Sequence, residues 1–165
     1  MQFAERDFME NIKKITDIQQ KLIVLIKKFE DKSRQLLECD IDEIANLVNS
    51  RQSIIDRIIF LTKEIYRLCD NNSLQRLAFE NKCDRSSLSE EEKEIFDLRQ
   101  EFNIYAVRAH NMDSEIIGRI QMHKDKLLVK IKQNNSGVTA KAAKYYNAGL
   151  SQGKNLYFPE NKRKI

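Results

Sequence analysis

The chain has 165 residues, of which one third are charged, and it contains one proline, four glycines and no tryptophan. This length suits one domain with a continuous core and is too short for two independent ones. Only Gly118 among the glycines and prolines occurs before residue 136, which favours long helices and argues against the glycine-rich loops of nucleotide-binding and hydrolase domains.

Charge is unevenly distributed along the chain. Residues 124–165 carry ten basic and two acidic side chains, a net charge of +8, so that residues 1–123 have 4 − 8 = −4. A basic tail on an acidic body is suited to nucleic acid, an acidic membrane surface or an acidic protein patch. Because the tail lacks arginine-rich density and regularly interleaved aromatic residues, the composition argues against nucleic acid.

Metal and cofactor sites are not indicated by the cysteines and histidines. Cys39, Cys69 and Cys83 are widely spaced without a Cys-x-x-Cys motif, which predicts free thiols rather than a disulfide framework or a zinc site. His110 and His123 have no partner at ligand spacing. The first residues are partly acidic where a signal peptide is apolar, and no 18-residue apolar segment occurs, so we expect a cytosolic protein without cofactors or membrane insertion.

A first helix, from about Ala4 to Glu38, is predicted by apolar residues at every seventh position. These residues are Phe8, Ile15, Leu22, Phe29 and Leu36. Asp40 and Glu43 then form a predicted capping box at the start of a second helix, in which leucine and isoleucine repeat at the same spacing through Leu68. Because only about two residues separate these helices, they are predicted to form an antiparallel hairpin.

The second helix has a wider apolar stripe than a two-helix seam requires. Val48, Ile55 and Ile59 broaden it, so that a third helix or a second subunit is expected to cover them. Arg51 interrupts the stripe. Such an arginine either extends its charge to solvent, pairs with a carboxylate across the bundle, or contacts a partner directly.

The region 70–89 is undecided between helix and loop on its sequence, with a short helix predicted within 73–82. Ser89 and Glu92 then form a second capping box that begins the third helix. An alternating three-four apolar row continues this helix to about Asn134, which makes it longer than the hairpin helices. The predicted fold is therefore all-α: an antiparallel, coiled-coil-like bundle of three long helices in residues 1–134.

A basic, partly disordered tail is predicted for residues 135–165. Gln133 to Gly137 favour a helix stop, and the few apolar residues beyond them predict a segment that orders on contact and that includes a candidate short helix. Leu127, Leu128 and Ile131, beside basic Lys126, Lys130 and Lys132, are predicted to form an exposed apolar wall rimmed by positive charge. The tail or another subunit could instead cover this wall.

Catalysis is not indicated by any motif. The chain has no phosphate-binding glycine loop, no Gly-x-Ser-x-Gly, no His-Glu-x-x-His and no Glu-x-x-His. Carboxylate pairs such as Glu38/Asp42 and Glu90/Glu94 fall at predicted helix ends, where solvated charge is the expected explanation. We therefore expect a protein that binds another protein rather than an enzyme.

The segment from Leu36 to Ile55 contains a Leu-Leu pair, a short acidic turn around Asp40, and an apolar helix in which Arg51 lies four places after Leu47 of a Leu-Val pair. In these features it resembles the FlgN-type flagellar export chaperones. Asn111-Met112, Lys126-Leu127-Leu128 and the Tyr145-Tyr146-Asn-Ala-Gly149 element are also similar to the family, so that the likeness covers residues 8–149. The extension from Leu150 to Ile165 departs from the family pattern.

The resemblance implies a small cytosolic chaperone that holds a hook-filament junction protein before flagellar type III export. Family members bind helical terminal segments of their clients through the end of the last long helix and the following tail. By this likeness the client-binding residues are Leu127, Leu128, Ile131, Val138, Tyr145 and Tyr146. The export apparatus is a second implied partner, and a filament cap protein or flagellin stays open as the client.

A structural coiled-coil adaptor or homodimeric scaffold is the alternative from another class. In that case a second copy of the chain buries the exposed stripe, and both mass and melting temperature depend on concentration. A membrane or nucleic-acid role of the basic tail predicts binding that falls steeply with salt.

Overall fold

The computed structural model describes the backbone of residues 2–69 and 73–151, with side chains at 6–69 and 74–144. These residues form four α-helices and one 3₁₀ turn, η1, and include no strand, which confirms the predicted all-helical class. In chain order the elements are α1 (Gln2–Glu38), α2 (Ile41–Leu68), α3 (Ser73–Phe79), η1 (Arg85–Ser87) and α4 (Glu90–Ser151). The chain divides into two compact units, residues 1–120 and residues 121–165, and α4 contributes to both.

In the first unit, α1 and α2 pack against each other in opposite directions. Ile15 and Leu22 from the first part of α1 share a core cluster with Leu61 and Ile65 from the last part of α2. Asp40 occupies the N-cap position of α2, as predicted, with extended backbone angles. The predicted reciprocal side-chain capping is wrong, because the Asp40 side chain makes no capping hydrogen bond there.

Three polar contacts connect α1 with α4 in the same order along both helices. Gln19 Nε2 donates to the backbone oxygen of Ile95 at 2.9 Å, and Lys27 Nζ pairs with Glu101 Oε1 at 3.0 Å. Further along, the Arg119 guanidinium donates to the backbone carbonyls of Leu37 and Cys39. These carbonyls lie where α1 ends and have no partner within that helix, so Arg119 satisfies the exposed backbone acceptors.

Two clusters of buried apolar residues lie among these helices. The larger contains Phe79 from α3 and Ile95 from α4 beside the α1 and α2 residues, while the smaller contains Leu36, Cys39 and Ile116. Arg99 is packed near the rings of Phe79 and Phe102, at 4.8 and 5.0 Å from their centroids. Burial there lowers the pKa of the Arg99 guanidinium.

The region that is undecided on its sequence contains α3 and η1. Asn81 has a positive φ of 53°, and the amides of Asn81 and Lys82 donate to the carbonyls of Ala78 and Leu77, the hydrogen-bond pattern of a Schellman helix end. Ser89 and Glu92 then cap α4 reciprocally, with N···O distances of 3.1 and 3.3 Å, so the predicted capping box is confirmed. Residues 70–72, predicted to end α2, lie outside the described residues.

The predicted helix end near Asn134 is wrong, because α4 continues through Gln133–Gly137 to Ser151. Glycine and asparagine lower helix stability by at most about 1 kcal/mol each, which weakens a helix without breaking it as proline does. Ser136 and Thr139 donate their hydroxyls to the carbonyls of Gln133 and Asn135 at 2.9 and 2.7 Å, so their side chains are satisfied within the helix. The separate short tail helix predicted after residue 137 is therefore part of α4.

Candidate functional site

The residues predicted to bind a client belong to one helix in the second unit. Every described side chain from Lys124 to Lys144 is exposed. Leu127, Leu128, Ile131 and Val138 are exposed to 45, 46, 53 and 67 %. Tyr145 and Tyr146 lie on the same helix, but their side chains fall outside the described part of the chain.

Leu127, Ile131 and Val138 lie on one face of α4. At about 100° per residue, positions 131 and 138 are displaced from position 127 by only about 40° and 20°. We call these three residues the apolar stripe. Leu128 lies about 100° from Leu127 and forms one border of this face. The stripe depends on the uninterrupted helix, because a break at Gly137 would separate Val138 from the other two residues.

Other exposed apolar residues in the second unit do not belong to the stripe. Val129 is 53 % exposed, the same fraction as Ile131, and its position is about 160° away from Leu127 around the helix. Counted in the same way, Met122, which is also exposed, lies on that opposite side. Scattered exposed aliphatic residues are common in proteins, so the stripe is distinguished by alignment rather than by exposure alone.

The lysines of this segment have almost no acidic residues to balance them. Six lysines and one acidic residue, Asp125, occur between residues 124 and 151. Asp125 accepts a hydrogen bond from Gln121 at 2.9 Å. Lys141 and Lys144 are absent from the rim that the sequence predicts, because a helix stop was expected before them. In the continuous helix Lys141 lies about three turns after Lys130, and Lys144 about five turns after Lys126, so each returns to the side of the earlier lysine.

Arg51 pairs with a carboxylate of another helix, one of the three roles that its position in the apolar stripe of α2 allows. Its Nη2 lies 2.6 Å from Asp113 Oδ1, and its guanidinium carbon lies 4.4 Å from the centre of the Phe29 ring. The Arg51 side chain is 15 % exposed. This geometry connects α2 with α4 and makes Arg51 a structural residue of the first unit.

The expected cover of the widened α2 stripe is absent within the described residues. Val48 and Ile59 are exposed to 40 and 47 %, and Ile55 is half-buried. Val48 and Ile59 therefore stay exposed although Arg51 between them contacts α4, whereas the sequence predicts that a third helix or a second subunit covers them. An apolar surface at these positions remains on the first unit.

The chemistry available to titratable groups is limited in the described part of the chain. Cys39 and Cys69 are buried. Burial beside Glu92 and Asp84 raises the pKa of the half-buried Cys83 thiol, which keeps it protonated and weakly nucleophilic. Among the described residues, no three His, Cys, Asp or Glu side chains are grouped closely enough to hold a metal ion. A membrane-spanning helix is likewise missing from the described residues, as none is both long and apolar enough.

Comparisons with known proteins give no relatives for this chain. No family model, no curated protein and no solved structure matches it.

Proposed function

We propose that the apolar stripe of α4 is the docking surface for an amphipathic helix of another protein. The observation that carries this proposal is the alignment of Leu127, Ile131 and Val138, each about half exposed or more, on one face of an uninterrupted helix. An amphipathic helix that binds another helix or a groove uses anchors at such helical spacings. Docking removes the apolar area of both partners from water, which stabilises the complex by about 25 cal/mol per Å² before the cost of association.

We infer that the first unit is the scaffold of this binding protein, an antiparallel, coiled-coil-like bundle of α1, α2 and the first part of α4. Its support is the order of the contacts from Gln19–Ile95 to Arg119–Cys39, together with the ion pair of Arg51 and Asp113. A rigid scaffold of this kind supports a binding helix without participating in binding itself.

In its specific form the proposal is a cytosolic chaperone that holds a flagellar hook-filament junction protein before type III export, with no catalytic role. The support is the FlgN-like segment from Leu36 to Ile55 and the position of the stripe on the last long helix, where that family binds its clients. The export apparatus is the second proposed partner. Leu128, Tyr145 and Tyr146 extend the proposed client-binding surface beyond the stripe.

The test compares two substitutions that remove the same kind of surface from opposite sides of α4. Ile131→Ser and Val129→Ser start from equally exposed side chains, and both add a hydroxyl to the same helix. The full chain and both variants are each titrated with purified flagellar junction, filament cap and flagellin proteins. Affinity is measured by calorimetry, and the melting temperature of each of the three chains is recorded.

A junction protein that binds the full chain and Val129→Ser equally, and Ile131→Ser at least about tenfold more weakly, supports the proposal. Ending the chain at Gly137 should also abolish binding while leaving the melting temperature of the first unit nearly unchanged. Equal losses in both serine variants would remove the stripe as the binding site. Binding of none of these flagellar proteins would refute the export-chaperone function.

A homomeric scaffold is the second candidate, and it is favoured by the same spacing, since aligned aliphatic residues also form coiled-coil seams. Sedimentation across a hundredfold range of concentration, about 1 to 100 μM, separates the two functions. A constant monomer mass favours the client-binding protein. A mass that doubles, and that returns to the monomer in Ile131→Ser, favours the scaffold.

A further inference from the structure

Four lysines lie along one edge beside the apolar stripe, two near its start and two near its end. Counted at about 100° per residue from Leu127, Lys126, Lys130, Lys141 and Lys144 all lie between about 40° and 100° to one side of it. We call them the lysine edge. On the other side of the stripe lie Leu128 and, near the start of the segment, Lys124 and Lys132. Between residues 133 and 144 this other side has no charged residue.

The positive charge of the lysine edge is not neutralised by the part of the chain that the structure describes. None of its four side chains forms an ion pair among the described residues, and all four are exposed. Asp125, the single carboxylate of the segment, lies about 160° from Leu127 and accepts from Gln121 instead. Four aligned like charges repel one another, which a partner with carboxylates relieves.

We propose that the partner of the stripe is an acidic amphipathic helix with carboxylates along one edge, paired to the lysine edge. This inference rests on the proposed docking function of the stripe and adds the chemical class and orientation of its partner. The apolar anchors supply affinity. For a given direction of the partner helix, the one-sided charge decides on which of its edges the carboxylates must lie, because the other border of the stripe offers them few cations.

Charge complementarity selects this partner over a second copy of the same helix. Residues 124–151 have six basic and one acidic residue, a net of +5, so two such segments placed stripe to stripe would bring two positively charged surfaces together without carboxylates to pair with them. In the antiparallel arrangement the two lysine edges would face each other directly. A helix that lies on an anionic membrane surface has cations on both sides of its apolar face, whereas this one has them mainly on one side. A protein helix with a single acidic edge matches the asymmetry.

The test uses three synthetic amphipathic peptides of about 19 residues, the length from Lys126 to Lys144. They share one leucine face and differ only beside it: glutamate along one edge, glutamate along the other edge, or glutamine at all of these positions. One glutamate peptide can meet the lysine edge when it lies antiparallel to α4, and the other when it lies parallel. Binding to the full chain is measured by fluorescence anisotropy at low salt and at about 0.5 M salt. Anionic and neutral lipid vesicles are included as further probes.

The expected result is that at least one glutamate peptide binds about tenfold more tightly than the glutamine peptide at low salt, and that high salt reduces this preference to about twofold. Lys130→Gln combined with Lys141→Gln should reduce the preference about threefold or more. Lys124→Gln combined with Lys132→Gln removes the same number of charges from the other side, and should leave it nearly unchanged.

The outcomes separate this inference from the function on which it rests. If all three peptides bind equally and Ile131→Ser weakens each, the docking function stands and the acidic-edge partner is wrong. If the two double substitutions reduce the preference equally, the position of the lysines around the helix does not matter and the inference is overturned. If no peptide binds, both proposals are overturned. If the chain binds anionic vesicles more tightly than any peptide, its partner is an anionic membrane surface and not a protein helix.

Discussion

Arg51 and Asp113 form an ion pair of 2.6 Å between α2 and α4, and the Arg51 guanidinium also lies over the ring of Phe29 from α1. Three helices of the first unit therefore meet at one charged side chain. The Nε of Arg51 is buried without a hydrogen-bond partner among the described residues. The guanidinium charge is therefore compensated by the Asp113 carboxylate and by the face of the Phe29 ring. An arginine within an apolar row is tolerated here because its carboxylate comes from another helix.

Removing the carboxylate should destabilise the first unit. We expect Asp113→Asn to lower the free energy of unfolding by about 1 kcal/mol, because Arg51 keeps its half-buried position and loses its counterion, while partial exposure of Asp113 limits the effect. Urea unfolding followed by circular dichroism measures this change. Asp56→Asn is the control, since Asp56 accepts from Gln52 within α2 on its exposed surface and has no cross-helix ion pair among the described residues. A loss at Asp56 equal to that at Asp113 would mean that the cross-helix pair contributes nothing specific.

The Ser89 and Glu92 capping box gives a second prediction. Ser89→Ala removes the hydroxyl that accepts from the Glu92 amide at 3.3 Å, and should lower the stability of the first unit by about 1 kcal/mol. Ser53→Ala makes the same chemical change at an exposed position inside α2, where alanine is the better helix former, and should raise stability by up to about 0.5 kcal/mol. The two variants should therefore differ in sign in the same thermal unfolding measurement.

A third prediction concerns acid. Arg85 donates two hydrogen bonds of 2.7 Å to Asp97, and this pairing holds the pKa of the Asp97 carboxyl below its ordinary value of 3.8. A carboxyl with a lower pKa in the folded state stabilises that state above its unfolded pKa, and the contribution is lost as the pH falls through the folded pKa. Thus the melting temperature should fall as acid is added below about pH 4, and the part of the fall that is due to this pair should be absent in Asp97→Asn.

Salt provides the control for the acid prediction. Asp97 and Arg85 are about half exposed, so their pairing is screened by ions. At high salt the melting curves of the original chain and Asp97→Asn should therefore converge at all pH values between about 3 and 7. A difference that persists unchanged in salt would indicate that the amide introduced by Asp97→Asn alters packing of the η1 region rather than an ion pair.

Periodicity predicted the helices well where apolar residues recur closely, and poorly where they become sparse. The rows through Ile15 and Leu61 predicted α1 and α2 nearly to their ends, because burial against a neighbouring helix decides helix formation more strongly than propensity does. The stretch from Gln133 to Gly137 has low propensity and no large apolar residue, so its weak helix-stopping residues received too much weight in the prediction. The carboxylate that pairs with Arg51 could not be predicted, because the sequence pattern of each helix does not fix which residues of α2 and α4 lie side by side.

The same stretch determines the extent of the candidate site. Once α4 is continuous, Val138 and Lys141 have a fixed position relative to Leu127 and Lys130, which a flexible tail would not provide. The family resemblance selected Leu127, Ile131 and Val138 for binding without predicting that they lie on one face of a single helix. Tyr145 follows Val138 at the same seven-residue spacing that separates Val138 from Ile131, but the side chains of Tyr145 and Tyr146 lie outside the described residues.

Gly137 offers the sharpest test of this continuity. A methyl group added at Gly137 meets no atom within 4 Å, so Gly137→Ala should strengthen the helix by up to about 1 kcal/mol, seen as higher ellipticity at about 222 nm, and should keep or improve client binding. Gly137→Pro removes a backbone donor and clashes with the preceding turn, which should break the helix and separate Val138 from Leu127 and Ile131.

Gly118→Ala is the matched control for the alanine variant, because a methyl group there also meets no atom within 4 Å and Gly118 lies in the first unit. Both alanine variants should raise helicity, while the proline variant alone should weaken client binding, by about tenfold if Val138 is one of three comparable anchors. Equal client affinity of Gly137→Ala and Gly137→Pro would mean that binding needs only the part of α4 before Gly137. The stripe would then end at Ile131, and the basic residues beyond it would have no role in orienting the partner.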